Sequence, residues 1–369
     1  ITVFANLIVG QLPSNVLQFD ISSSKIYSIG QETRDYLATV VMDIVLRYDI
    51  DGIHMDDYFY PYKVAGADFP DLQTFREHNR GIYDRKAWRR DNVNLVVEHL
   101  YNSIHAAKPW VQFGVSPFGI WRNDFDDLRG SATVTTCTNY DELSADVLTW
   151  LEKGWLDYSA PQLYWEIGKP NVDFKMLSEW WSKYTYGRNL YVGLYASGLA
   201  VKNDPAWKKP NEVSRQITYS QSNPEIDGYI FYSAKYLKSN TQGIADSLRN
   251  MHFMYPALTP VVSAPQSSPS TSPKNIRVIA ENGKQILRWM PVEKKGGHEV
   301  SYYVVYLFKG IDGGDDAKPS SILKITPDTE ICLSDFDLLP GDYSIQISSV
   351  NRFKQESKLS KKVRYKVAY

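Results

Sequence analysis

Up to about residue 255, short apolar runs alternate with stretches whose apolar positions recur at helical spacing. The runs at 2–9, 50–56, 111–117, 157–164, 190–195 and 228–232 predict strands. Between them Leu37, Val40, Val41, Ile44, Val45 and Tyr48 trace one face of a helix, and Val93, Val96, Val97, Leu100, Tyr101 and Ile104 trace another. Fainter helical patterns cover 141–152, 174–186, 211–221 and 242–250. Strands alternating with helices imply a mainly parallel sheet, closed as a barrel or open as a doubly wound layer. No GxGxxG or GxxxxGKS/T loop follows any strand, which disfavours a nucleotide-binding sheet. The expectation is an α/β domain over 1–255 of the (β/α)8 TIM-barrel type. Six strands are two short of closure, so the first two β/α units are expected upstream of Ile1.

From Tyr255 the pattern changes. Pro256, Pro260, Pro265, Pro269 and Pro273 are interspersed with Ser263, Ser267, Ser268, Ser270 and Ser272, the composition of a semi-extended linker over 256–274. Strands at all-β spacing follow at 275–281, 284–290, 301–308, 322–325, 330–334, 342–350 and 361–367. Trp289 sits on the second of these. Tyr343 enters the sixth after Leu339-Pro340-Gly341-Asp342, the placement of a tyrosine corner in a Greek-key sandwich. Residues 275–369 thereby resemble a fibronectin type III domain. That fold serves as spacer, docking module or binder, so a cell-surface or protein contact through it stays open.

Composition narrows the partners. The net charge is −1 with no long run of one sign, which argues against nucleic acid or an anionic membrane. No apolar run approaches the ~20 residues of a transmembrane span. Cys137 and Cys332 fall in different predicted domains, so no structural disulfide is expected. The chain carries 10 Trp, 26 Tyr and 14 Phe, and many gather at predicted strand ends. Flat aromatic faces there suit the C–H faces of sugar rings.

The segment Asp51-Gly52-Ile53-His54-Met55-Asp56-Asp57-Tyr58-Phe59-Tyr60-Pro61-Tyr62 holds the sharpest chemistry. Period-2 alternation sends Ile53 and Met55 outward onto helices and Gly52, His54 and Asp56 inward. Asp56 then stands at the C-terminal mouth, where barrel active sites form, with His54 one layer below. An Asp pair after a strand is also a common turn or helix cap, but Tyr-Phe-Tyr-Pro-Tyr is no helix start. The same alternation places Gln162, Tyr164 and Glu166 on the rim with Asp56. Glycoside hydrolysis commonly uses two carboxyls across the scissile bond, about 5 Å apart for retention and farther for inversion. Asp56 is the first candidate and Glu166 the second, with Asp57 and Asp124 in reserve.

Trp121, Arg122 and Asn123 offer a stacking face and fixed donors for a sugar, Trp165 a second platform, and Tyr58 an aromatic beside the pair. Leu177 and Trp181 have helical spacing and read as core. His54, Asp56 and Asp57 could instead bind a divalent cation. The six His residues are scattered without HxH or HExxH spacing, so no metal and no other cofactor is expected.

Four segments carry a family resemblance: Tyr48 to Pro61, Trp88-Arg89-Arg90-Asp91-Asn92-Val93-Asn94, Gly114 to Asn123, and Pro161-Gln162-Leu163-Tyr164-Trp165. In this order they resemble the bacterial glycosyl-hydrolase-like 10 family, over about 1–255. The resemblance implies a (β/α)8 barrel with glycosidase activity. It also implies glycan substrates of the cell envelope, such as peptidoglycan strands stripped of peptides, and an envelope or secreted location. Asp56 occupies the nucleophile's place in barrel glycosidases with a DG-x-R/H-x-D strand, and His54 stands where many of those have Arg. Two other readings stay open, a carbohydrate-binding barrel without catalysis and a metal-dependent hydrolase or deacetylase.

Overall fold

The computed structural model describes residues 16–19, 31–57, 59–63, 68–208, 211–261, 270–292, 299–311 and 318–368. The chain divides into two compact units, residues 1–254 and 255–369.

Among the described residues the first unit is built on six parallel strands whose spatial order is their sequence order. They are β1 (Val16–Phe19), β2 (Gly52–Met55), β3 (Gln112–Val115), β4 (Tyr158–Ser159), β5 (Asn189–Leu194) and β6 (Gly228–Phe231). Helices connect them, among others Gln31–Arg47, Arg85–Ala107, Val147–Lys153, Phe174–Lys183 and Glu212–Ser220. Sequential parallel pairing with helical crossovers gives a TIM-barrel-like half-barrel. The strand expected at 2–9 lies outside the described residues.

Both predicted faces of the sheet are present. Ile53, Met55, Phe113 and Val115 join one core with Val41, Val45, Val93, Val97 and Leu100 of the covering helices. Leu177 and Trp181 are buried in that same core, as their spacing requires. Tyr158, Ala160, Tyr191 and Ile230 form a separate cluster on the other face, where the His54 ring stacks on Tyr158. Gly114 makes this layer possible. A Cβ there would lie 2.2 Å from the Tyr158 ring.

Local chemistry sets the element ends. Asp84 caps the helix Arg85–Ala107 by accepting from the backbone N–H groups of Lys86 and Ala87. Gly154, at φ 72°, ends the helix Val147–Lys153 in the left-handed conformation. β4 is shorter than its apolar run, because Pro161 cannot donate to the ladder. The chain pairs with the sheet again at Gln162, which bridges Phe118 and Gly193. The helix expected over 242–250 begins at Ile244, because Gln242 and Gly243 hold positive φ, and it runs as an α-helical turn, Ile244–Ser247, that continues into a π-helical one, Leu248–His252.

Among the described residues the second unit has seven strands: β7 (Lys274–Glu281), β8 (Lys284–Met290), β9 (Val300–Lys309), β10 (Ile322–Thr326), β11 (Glu330–Cys332), β12 (Gly341–Asn351) and β13 (Val363–Val367). They form two antiparallel sheets, β10-β9-β12-β13 and β11-β8-β7. Leu287, Trp289 and Ile331 from one sheet share a core with Tyr303, Val305, Ile345 and Ile347 from the other. The Tyr343 hydroxyl donates to the Leu339 carbonyl at 2.8 Å, the bond of a tyrosine corner. The described ends of the Pro/Ser tract belong to this unit. Thr259 is buried, and Ser349 Oγ donates to the Thr271 carbonyl.

Candidate active site

A cleft of about 440 Å³ opens at the C-terminal ends of the parallel strands. Its walls are Asp56 and Asp57 after β2, Gln162, Tyr164 and Trp165 after β4, Tyr195 and Lys202 after β5, and Tyr232 after β6, closed by Tyr62. Every strand from β2 to β6 except β3 thus contributes the residues that follow its last ladder bond.

Two consecutive carboxylates sit at the floor. Asp56 Oδ1 accepts from the Asp57 backbone N–H at 2.9 Å and from Gln162 Nε2 at 2.8 Å. Gln162 Nε2 also donates to the Ser116 carbonyl, so the amide that aims Asp56 is itself held by the end of β3. Asp57 is buried and accepts from the Tyr62 hydroxyl. Burial pushes the Asp57 carboxyl above its ordinary range, and hydrogen bonds from Tyr62 and the Asp56 side chain only partly offset this. The two carboxyls are within hydrogen-bonding reach of each other, and burial disposes Asp57 towards its protonated form.

Aromatic rings form the walls. Tyr164 stacks on Tyr195 at 4.9 Å and on Tyr232 at 5.9 Å. Burial, followed by the charges of Asp56 and Asp57, drives the Tyr164 phenol well above its ordinary value, so it stays a neutral donor. Trp165 meets Phe118 edge-on at 5.5 Å.

The Trp88 to Asn94 segment braces the loop that carries the pair. Arg89 clamps Asp71 through Nε and a terminal nitrogen, each at 2.7 Å, and lies 5.5 Å from the Tyr60 ring centre. Asn92 Nδ2 donates to the Tyr60 hydroxyl, and Asn94 Oδ1 accepts from Trp150 Nε1.

Several sequence candidates lie elsewhere. Glu166 is outside the cleft. Its carboxylate accepts from Trp207 Nε1 at 2.8 Å and pairs with Lys169 at 2.9 Å. Burial alone would raise its pKa, but the Trp207 and Lys169 donors outweigh it and hold the carboxyl below its ordinary range. Period-2 alternation misplaced Glu166 because the chain stops being a strand at Pro161. His54 is 2% exposed and lies under the cleft, not in its wall, with Nδ1 2.9 Å from the Tyr158 hydroxyl.

Trp121 is fully buried, stacked on Trp180 at 6.2 Å. Arg122 pairs with Asp141 at 2.8 Å over the Tyr140 ring. Asn123 spends its amide on Asp126 Oδ2 and the Thr135 carbonyl and accepts from Thr133. These three hold the loop after β3 and do not reach the carboxylates' cleft. Asp124 is an exposed residue of that loop. Tyr58 lies outside the described residues.

Tyr62, Tyr195, Lys202 and Tyr232 complete the cleft; Tyr195 shares the inward parity of Tyr191 and Gly193, and the other three are not among the sequence candidates. For Tyr195 and Tyr232 a signal existed, since each is the first residue after a parallel strand. Among the described residues no group of three or more His, Cys, Asp or Glu side chains is arranged to hold a metal ion. No described helix is long and apolar enough to cross a membrane. Cys137 and Cys332 are free thiols.

Residues 27–209 match the family model described as Glycosyl hydrolase-like 10. The chain is 36% identical over 339 residues to glycosyl hydrolase YngK of Bacillus subtilis strain 168, an alignment covering 90% of this chain and 65% of that protein. It is 36% identical over 228 residues to glycosyl hydrolase DigH of Escherichia coli K12, covering 59% of this chain and 51% of that one. The chain thus spans between half and two thirds of these relatives' lengths. An endo-beta-1,4-mannanase from Thermotoga petrophila aligns with 92% of this chain and 71% of its own at 10% identity. Its TM-score of 0.33 is too low to bear on the assignment.

Proposed function

The barrel unit of this chain belongs to the glycosyl hydrolase-like 10 family, and we propose that it hydrolyses glycosidic bonds with Asp57 as proton donor and Asp56 as its anionic partner. The observation that carries this reading is the Asp56–Asp57 pair in one aromatic-walled cleft, with Asp57 the more deeply buried of the two. Acid catalysis needs a carboxyl that keeps its proton near neutrality, and burial moves Asp57 in that direction. Asp56 remains the anion, held by Gln162 and the Asp57 N–H.

In the proposed reaction the Asp57 proton passes to the glycosidic oxygen as its bond to the anomeric carbon breaks. Asp56 stabilises the positive charge that develops. Water finally adds its hydroxide to the anomeric carbon, and its proton returns to the pair. Carboxyls this close stand on one side of the scissile bond. That favours attack by a substituent of the sugar itself, as in substrate-assisted glycosidases, and hence 2-acetamido glycans such as those of the cell envelope. Tyr164, Trp165, Tyr195 and Tyr232 would hold the sugar rings.

The second unit fits a fibronectin type III-like module, supported by its seven strands in two sheets and the Tyr343 corner. The test is to incubate the purified chain with 2-acetamido oligosaccharides and follow products by mass spectrometry. Asp56→Asn and Asp57→Asn should each cost ~100-fold or more in turnover while the thermal midpoint holds. Near-normal turnover in both variants would remove the pair from the chemistry. The three stacked tyrosines would equally serve a carbohydrate-binding barrel, the reading selected by binding without product.

A further inference from the structure

We propose that Lys202 recognises a carboxylate substituent on the glycan that enters this cleft; this deepens the glycan reading above and rests on it. Lys202 lines the cleft that holds Asp56 and Asp57, and its ammonium stands 5.8 Å from the centre of the Tyr195 ring. Among the described residues no carboxylate is paired with it. The acidic side chains nearest in space or sequence are engaged elsewhere. Asp56 is held by Gln162, Asp57 by Tyr62, and Asp204 lies 3.8 Å from Lys169.

A cation at the wall of a half-enclosed cleft attracts a negative group more strongly than one in open water. The neighbouring Tyr195, Tyr164 and Tyr232 rings supply the flat face on which a sugar would lie, placing its substituents within reach of the ammonium. Neutral hydroxyls need only an uncharged donor, which the cleft already has in Tyr164. A fixed ammonium adds discrimination chiefly for an anion.

The position of Lys202 is built, not incidental. Its backbone N–H donates to the Gly198 carbonyl at 3.0 Å, closing the short helix Gly198–Val201. A Cβ on Gly198 would lie 2.7 Å from both Trp207 and Tyr195, so this turn is pressed onto the two rings. Trp207 in turn is anchored by Glu166. The contact that takes Glu166 out of the cleft therefore sets the turn from which Lys202 reaches into it.

Two sugar types that carry such a carboxylate serve as probes, a 3-O-lactyl ether of a 2-acetamido sugar and a hexuronate. Binding of each to the full chain, against its carboxyl-reduced counterpart, can be followed through tryptophan fluorescence without reference to turnover. One acid form should bind about tenfold more tightly than its reduced form. That ratio should fall towards one in Lys202→Met, return in Lys202→Arg, and shrink with added salt. The arm that shows it identifies the sugar type. Equal affinity for acid and reduced forms in both arms, or a ratio that survives Lys202→Met, overturns the proposal. A Lys202-dependent ratio in a protein that releases no product would sink the hydrolase reading alone; turnover without any ratio would sink this one alone.

Discussion

Lowering the pH should destabilise the first unit by an amount that His54 makes calculable. Its ring is 2% exposed, stacked on Tyr158 and bonded to that hydroxyl. Burial holds the imidazole down at about 4, against an ordinary 6.5. Between those values the unfolded chain binds a proton that the folded chain refuses, so stability falls as pH falls. The contribution is complete above pH 6.5 and is lost on the way down to about 4. At ~1.4 kcal/mol per pH unit the loss is on the order of 3 kcal/mol, a large share of the ~5–15 kcal/mol of a typical domain. Urea unfolding of the full chain, followed by tryptophan fluorescence from pH 7 down to pH 4, would measure it. The control is His54→Gln, which lowers stability throughout but cannot titrate. Its pH dependence should be shallower than that of the parent by about 3 kcal/mol over the window. Parallel curves would mean that the folded imidazole accepts its proton near 6.5 and that His54 contributes nothing to the acid loss.

Tyr62→Phe removes a hydrogen bond that favours the charged form of Asp57, so the alkaline limb of the kcat/KM profile should move to higher pH; a move to lower pH would contradict the donor role. Glu166→Gln should lower the thermal midpoint at neutral pH, with less effect in acid, since a depressed carboxyl stabilises above its unfolded pKa and loses that contribution as pH falls. A loss of ~100-fold or more in its turnover of a carboxyl-free glycan would return Glu166 to the chemistry. Gly114→Ala forces a Cβ onto the buried Tyr158 ring and should cost about 1–3 kcal/mol, read as a drop in thermal midpoint; an unchanged midpoint would show that the layer beneath the cleft can yield.

The alternation of Ile53 and Met55 with His54 and Asp56 was legible in the sequence because β2 is a regular strand up to Met55, and Asp56 is the first residue beyond it. The same logic failed at Glu166 for want of a strand to carry it. Past Pro161 the direction of each side chain is set by long-range bonds, such as Trp207 to Glu166, that span 41 positions and leave no local trace. Trp121, Arg122 and Asn123 have the residue types of a sugar site, yet their partners Trp180, Asp141 and Thr133 turn them inward. Residue type alone does not distinguish a loop brace from a ligand contact. Lys202 was unreadable for the opposite reason. Its neighbours in sequence are unremarkable, and its place follows from the packing of Gly198 on Trp207.

The division of labour between Asp57 and Asp56 is tested most directly by a leaving-group comparison. kcat/KM would be measured for the parent, Asp57→Asn and Asp56→Asn on an unactivated 2-acetamido glycan and on an aryl glycoside of the same sugar, whose leaving group needs no proton. Asp57→Asn should lose ~100-fold or more on the glycan but far less on the aryl glycoside, while Asp56→Asn should lose heavily on both. Equal losses for Asp57→Asn on the two substrates, or near-normal hydrolysis of the glycan, would contradict that division.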